Sequence, residues 1–271
     1  MNWLQCILYG LILGFGEFIP VANGAQMQIL QQLFGSTVND PLRELLVHLF
    51  SLTAFLLVWR NPLDTIRRDS CMVQRGTRIH RQIYRGNADT GFIRIAAIPM
   101  LIYMIVLMAV YKGNQNWTML ILLVNGIILY LPERMLQGNK TARSMSPLDG
   151  LLIGLGSALS VIPGISRVGL GMSIGIMRGA DRKHTLNWAY LLSVPALLLL
   201  AGSDLCNLIF ASNSITFCAD FLGYLMLSIF SFIGAYLSVF LMRNLIIHRG
   251  LHAFSYYSWG AAMFSFILFL L

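Results

Sequence analysis

A single arginine stands in the apolar run Val161-Ile162-Pro163-Gly164-Ile165-Ser166-Arg167, where a charge is expensive and therefore usually functional. The planar fork of Arg167 suits a phosphate, and the helix start that follows Pro163 and Gly164 offers free backbone N–H groups to the same anion. Ser166 beside it fits two roles, nucleophile or helix cap. A second broken apolar stretch carries Glu17, Asn23 and Gln26. Brought to Arg167, Glu17 would hold a divalent cation (Mg or Ca) against a phosphate, act as general base, or form a structural ion pair. Asn23, Gln26 and Gly164 would add polar contacts to a bound phosphate. His48, four residues after Glu44, shares its helix face and fits either a supporting polar patch near the site or an interfacial position. The chemistry these residues point to is recognition of an anion, a phosphate on a lipid. The plainer reading of Arg167 is a loop arginine snorkelling to the head groups.

The elements that must position them are membrane helices. The chain has 57% hydrophobic and 11% charged residues, against about 25% charged in a soluble domain, and its mean hydropathy is +0.70. Runs at about 44–60, 93–111, 117–133, 186–203, 219–242 and 253–271 approach the ~20 residues needed to cross a bilayer. The stretches 3–34 and 148–177 are too long for one span and are broken by Gly14, Gly16, Pro20, Asn23 and Gly24, and by Pro163 and Gly164. Broken backbone at membrane depth survives where protein or a polar cavity satisfies it, so each stretch reads as a re-entrant hairpin.

Loop charge sets the orientation. Arg60, Arg67, Arg68, Arg75, Arg78, Arg81, Arg85 and Arg94 place the first long loop in the cytoplasm, with Arg134, Lys140, Arg143, Arg178, Arg182, Lys183, Arg243 and Arg249. The 111–117 connection and the 204–218 loop are expected outside. Residues 148–177 then start and end inside, and residues 3–34 start and end outside. The fold expected is an all-α integral membrane protein of six transmembrane helices and two re-entrant hairpins in two inverted-topology repeats, 1–135 and 136–271, forming a single membrane domain. Gly10-Leu11-Ile12-Leu13-Gly14-Phe15-Gly16 echoes Gly150-Leu151-Leu152-Ile153-Gly154-Leu155-Gly156. Inverted repeats with broken helices place a site where the two breaks face each other.

The net charge of +8 resides in these short loops and reports orientation rather than nucleic-acid binding. Cys6, Cys71, Cys206 and Cys218 have no metal or redox spacing and read as apolar fillers, with a Cys206–Cys218 disulfide left open. His80, His184, His248 and His252 fall in or beside cytoplasmic loops and read as solvated. The first Lys or Arg is Arg43, so the N-terminus is expected to belong to the mature fold rather than to a signal peptide.

The chain resembles, nearly end to end, the membrane undecaprenyl-pyrophosphate phosphatases associated with bacitracin resistance. The resemblance runs through Glu17-Phe18-Ile19-Pro20-Val21, Leu46-Val47-His48-Leu49, Val58-Trp59-Arg60, Gly126 to Arg134, Ile153-Gly154, Ile162 to Arg167, Leu191 to Pro195 and Phe254-Ser255-Tyr256-Tyr257. It implies the fold above, an active site open to the outer face, and a role in regenerating the polyprenyl carrier lipid of bacterial cell-wall synthesis. It also implies a plasma-membrane location and a polyprenyl phosphate or diphosphate as partner; a homodimer is compatible with it. The departures fall on the chemistry. Where the family has E-x-x-x-E-F-L-P-V-S-S-T-G-H, this chain has Leu13 for the first glutamate, Ala22 and Asn23 for the serines, Gly24 for the threonine and Gln26 for the histidine. Val168 and Gly171 replace a serine and a threonine after Arg167. Glu17, Ser166 and Arg167 remain as the catalytic set, and Arg167, Ser166, Gly164, Asn23, Gln26 and His48 as the substrate-binding set. Two readings follow. One is a phosphatase of the diphosphate lipid, with a metal-assisted route through Glu17. The other is a non-catalytic binder or flippase of undecaprenyl phosphate.

Overall fold

The computed structural model describes residues 3–34, 41–59, 84–111, 117–135, 138–210 and 221–270. Among these the chain is all helical: α1 (Trp3–Gly16), α2 (Asn23–Leu33), α3 (Pro41–Val58), α4 (Tyr84–Val110), α5 (Thr118–Tyr130), α6 (Pro147–Ala158), α7 (Arg167–Met177), α8 (Arg182–Phe210), α9 (Phe221–Arg249) and α10 (His252–Leu270). Short 3-10 turns follow α5 (Leu131–Arg134) and α6 (Leu159–Val161).

Local chemistry sets the ends. Ser146 and Asp149 form a reciprocal capping box before α6, with Pro147 in the first turn. Gly164, at φ +105, makes the turn after Pro163 that no residue with a Cβ adopts easily. The arms α1, α2, α6 and α7 have 14, 11, 12 and 11 residues. At 1.5 Å per residue each falls well short of a ~30 Å hydrocarbon core.

Among the described residues, four helical stretches are long and apolar enough to cross a membrane: Pro41–Val58, Gly91–Val110, Arg182–Phe210 and Phe221–Met242. The expected runs at 117–133 and 253–271 are helical as well, without meeting that length and hydropathy. The 117–133 run forms the 13-residue α5, which passes into a 3-10 turn at Leu131 and Pro132. The 253–271 run forms α10, whose first turns carry His252, Ser255, Tyr256, Tyr257 and Ser258. One correction concerns 204–218. Helix α8 continues to Phe210, so Asp204, Cys206 and Asn207 lie on its last turns rather than in a loop. Likewise α4 begins at Tyr84 and α8 at Arg182, within segments expected to be loops. Arg60, Arg67, Arg68, Arg75, Arg78, Arg81, His80, Cys71 and Cys218 lie outside the described residues. Cys206 is an exposed thiol, and its suggested partner Cys218 is among those not described.

The glycine echo is a packing device. Helix α1 lies on α9 so closely that a Cβ at Gly10 or Gly14 would collide with the carbonyl of Leu227 or Ser231. Helix α6 lies on α4 in the same manner, and a Cβ at Gly154 would collide with the carbonyl of Ala96. Small residues that let backbones approach are how helices associate when lipid offers no hydrophobic contrast. The third glycine of each triple faces its own hairpin's second arm: Gly16 meets Asn23 and Gln26, and Gly156 meets Ile174 and Leu170. Further packing joins α3 to α8 and α9, α4 to α8, α5 to α10, α7 to α5 and α8, and α2 to α10.

Candidate functional site

The two breaks meet. A Cβ at Gly24 would touch Pro163, 3.4 Å from its Cα, which sets the start of α2 against the Pro163-Gly164 turn. The first break, residues 17–22, is anchored from below by Phe18, fully buried and stacked on Phe55 at 4.9 Å. Phe55 in turn stacks on Trp59, and Tyr190 meets all three rings edge-on. That cluster fixes the backbone at Glu17. The second break is held by Asn125 of α5, whose Oδ1 accepts the Ser166 N–H at 3.0 Å while its Nδ2 donates to Ser258 Oγ at 3.0 Å. A buried backbone donor that would otherwise be orphaned is thereby satisfied.

Glu17 and Arg167 form a buried ion pair, Arg167 Nη2 to Glu17 Oε2 at 2.7 Å, with side chains 7% and 3% exposed for Arg167 and Glu17. The arginine's charge is therefore held by protein, which sets aside the snorkelling alternative. The other Glu17 oxygen accepts from Asn23 Nδ2 at 2.6 Å and lies 3.5 Å from His48 Nε2. On its far side, His48 Nδ1 is 2.9 Å from Asp204 Oδ2. Arg167 Nε is buried with no partner among the described residues, a donor still free for a ligand.

These groups line a cavity of about 330 Å³ together with Glu44, Gly24, Ser160, Ser203 and Asn207, its apolar wall including Met27, Met108, Val161 and Leu200. Of the residues singled out from sequence, Glu17, Asn23, His48 and Arg167 line it. The others stand beside it. Ser166 is fully buried and caps α7, its Oγ accepting the Gly169 N–H at 3.0 Å. Gly164 shapes the turn against Thr118 and Ile121. Gln26 donates to Tyr257 Oη at 2.8 Å, toward α10. Asp204 and Asn125 were missed. Asp204 carries the signal that drew notice to Arg167, a charge in an apolar helix, but it sits just past the expected end of a span. Asn125 is neutral within an apolar run and gives no such signal.

No group of three or more His, Cys, Asp or Glu side chains converges to hold a metal ion among the described residues. Both oxygens of Glu17 already have partners, so a cation there would have to displace Asn23 or Arg167. The arrangement suits an anion instead: an arginine whose Nε is buried without a partner among the described residues, an imidazole and an amide around a space large enough for a diphosphate.

Residues 6–264 match the family described as bacitracin resistance protein BacA. Similar proteins include an undecaprenyl-diphosphatase from Carboxydothermus hydrogenoformans, 28% identical over 96% of this chain and 94% of that one. Another, from Nocardioides, is 30% identical over 73% of each chain, and one from Methanobrevibacter smithii is 28% identical over 98% of each. With its apolar helices and a match covering nearly its full length, the chain belongs to the bacitracin resistance protein BacA family and is a multi-pass bacterial membrane protein.

Proposed function

We propose that this protein hydrolyses the terminal phosphate of undecaprenyl diphosphate, or a closely related polyprenyl diphosphate, the carrier lipid of bacterial cell-wall synthesis. The observation that carries the reading is the convergence of Arg167, Glu17 and His48 on one cavity, and the names of the relatives agree with it. Arg167 takes the diphosphate through Nε and, once Glu17 yields, through Nη2. Ser166 is occupied as a cap, so the nucleophile is water. Asn23 orients Glu17, and the apolar wall receives the first prenyl units. A divalent cation, Mg or Ca, would enter bound to the diphosphate rather than to Glu17, both of whose oxygens are already taken.

The finer architecture belongs to the same proposal: two inverted repeats, 1–135 and 136–271, each a re-entrant hairpin followed by three spans. It is supported by the packing, in which exchanging the halves maps α1 on α9 to α6 on α4, α3 on α9 to α8 on α4, and α2 on α10 to α7 on α5. The triples Gly10-Gly14-Gly16 and Gly150-Gly154-Gly156 do corresponding work in that exchange.

A second reading, a binder or flippase of undecaprenyl phosphate, is favoured by Asn23 and Gln26, neither of which is a nucleophile or base. Phosphate release from undecaprenyl diphosphate by purified protein, with a Glu17→Gln control and a chelator arm, decides between them. The expected result is turnover abolished by Glu17→Gln and about 10²-fold slower than in a relative with the serine and histidine intact. No release, together with movement of labelled undecaprenyl phosphate across vesicles, would replace the hydrolase with the carrier.

A further inference from the structure

Asp204 approaches the site from α8, and among the described residues its side chain pairs with His48. Its Oδ2 lies 2.9 Å from His48 Nδ1, the two side chains being 11% and 14% exposed. A carboxylate only accepts, so Nδ1 carries the hydrogen and the other nitrogen, Nε2, keeps its lone pair when the ring is neutral. Nε2 lies toward Glu17, which lines the cavity with His48, 3.5 Å from Glu17 Oε1 and too far for a good bond to an oxygen that already accepts from Asn23 at 2.6 Å. The imidazole is thus oriented at one nitrogen and uncommitted at the other.

We propose that Asp204 is the positioning residue of this site, holding His48 with Nε2 toward the bound diphosphate so that His48 supplies the proton transfer that Gln26 cannot. This rests on the hydrolase reading above. The charged groups acting on His48 are Asp204 from α8, Glu17 from the break after α1, and Glu44 on its own helix. Arg167 of α7 stands behind Glu17, and α9, on another side of α3, presents Ser231 to Ser51 and to the Val47 carbonyl. In the reaction a water oxygen bonds to the terminal phosphorus as the bond from that phosphorus to the bridging oxygen breaks. The bridging oxygen keeps the electron pair and leaves as polyprenyl phosphate. One water proton passes to His48 Nε2 and then to the departing inorganic phosphate, and the other stays on the new hydroxyl.

The test compares Asp204→Asn, Asp204→Glu, His48→Gln and the Asp204→Asn/His48→Gln pair on undecaprenyl diphosphate, with binding of undecaprenyl phosphate as the check that each variant is folded. For Asp204→Asn the expected result is kcat lower by about 10²-fold with KM changed less than about threefold. Asp204→Glu should recover most of that loss, and the pair should be no slower than His48→Gln alone, because the two act as a unit. A wild-type kcat in either Asp204→Asn or His48→Gln, or losses that multiply in the pair, overturns the inference while the hydrolase reading stands. If the unaltered protein releases no phosphate, it is the hydrolase reading that falls, and the proton-transfer role with it.

Discussion

Arg167 and Glu17 satisfy each other in a place where neither can be removed cheaply. Truncating one partner of a buried pair leaves an orphan charge, at a cost of about 3–5 kcal/mol. We expect Arg167→Ala to abolish binding of undecaprenyl phosphate, and Arg167→Lys to bind more weakly, because a point charge cannot reproduce the fork. Equilibrium binding in detergent checks both, and wild-type affinity in Arg167→Ala would remove the arginine from the site. Restoring the family's residues is expected to help only in part. Asn23→Ser places a hydroxyl on the cavity, but the side chain at Gln26 is directed to Tyr257, so Asn23→Ser with Gln26→His should raise phosphate release by less than about tenfold. Recovery of a full family-like rate would show that the histidine turns to the cavity. The charges of this site were visible in the sequence because burial in apolar surroundings makes them conspicuous. Asp204 was hidden because it falls just past the apolar run at 186–203, and Asn125 by its neutrality.

At the scale of elements, the hairpins are seated by glycine faces, and the seats differ sharply in tolerance. Gly14 and Gly154 meet backbone carbonyls that cannot move aside, whereas Gly260 and Gly202 have nothing within 4 Å of an added Cβ. We expect Gly14→Leu and Gly154→Leu to cost about 3 kcal/mol or more, above the usual range for overpacking because backbone is struck. Gly260→Ala and Gly202→Ala should be neutral. Thermal unfolding in detergent, read with the monodisperse fraction, distinguishes the two sets, and equal tolerance would remove the close α1–α9 and α6–α4 contacts. The broken stretches, their glycines and most helix positions could be read from periodicity and punctuation. Helix ends could not. Hydropathy windows lose polar terminal turns, so α4 and α8 run beyond the apolar cores that announced them, and the change from α-helix to 3-10 turn at Leu131 leaves no mark in composition.

For the whole molecule, the inverted-repeat reading fixes sidedness. In a background with its four cysteines replaced, a thiol probe at Ser212 should react from outside intact cells, and one at Arg143 should not; labelling of both would sink the topology. Arg143 is exposed, whereas Gly138 is pressed on the Gly179 carbonyl and would not accept a cysteine quietly. Ser212 lies outside the described residues. The seat of α1 on α9 also has a consequence for biosynthesis. The partners are roughly 200 residues apart in the chain, which at 5–20 residues per second is about 10–40 s of translation. Throughout that interval the N-terminal arm has left the ribosome with its glycine face uncovered. The cavity around Glu17 therefore closes late, and the nascent N-terminal half must be sheltered by lipid or insertion machinery until α9 arrives.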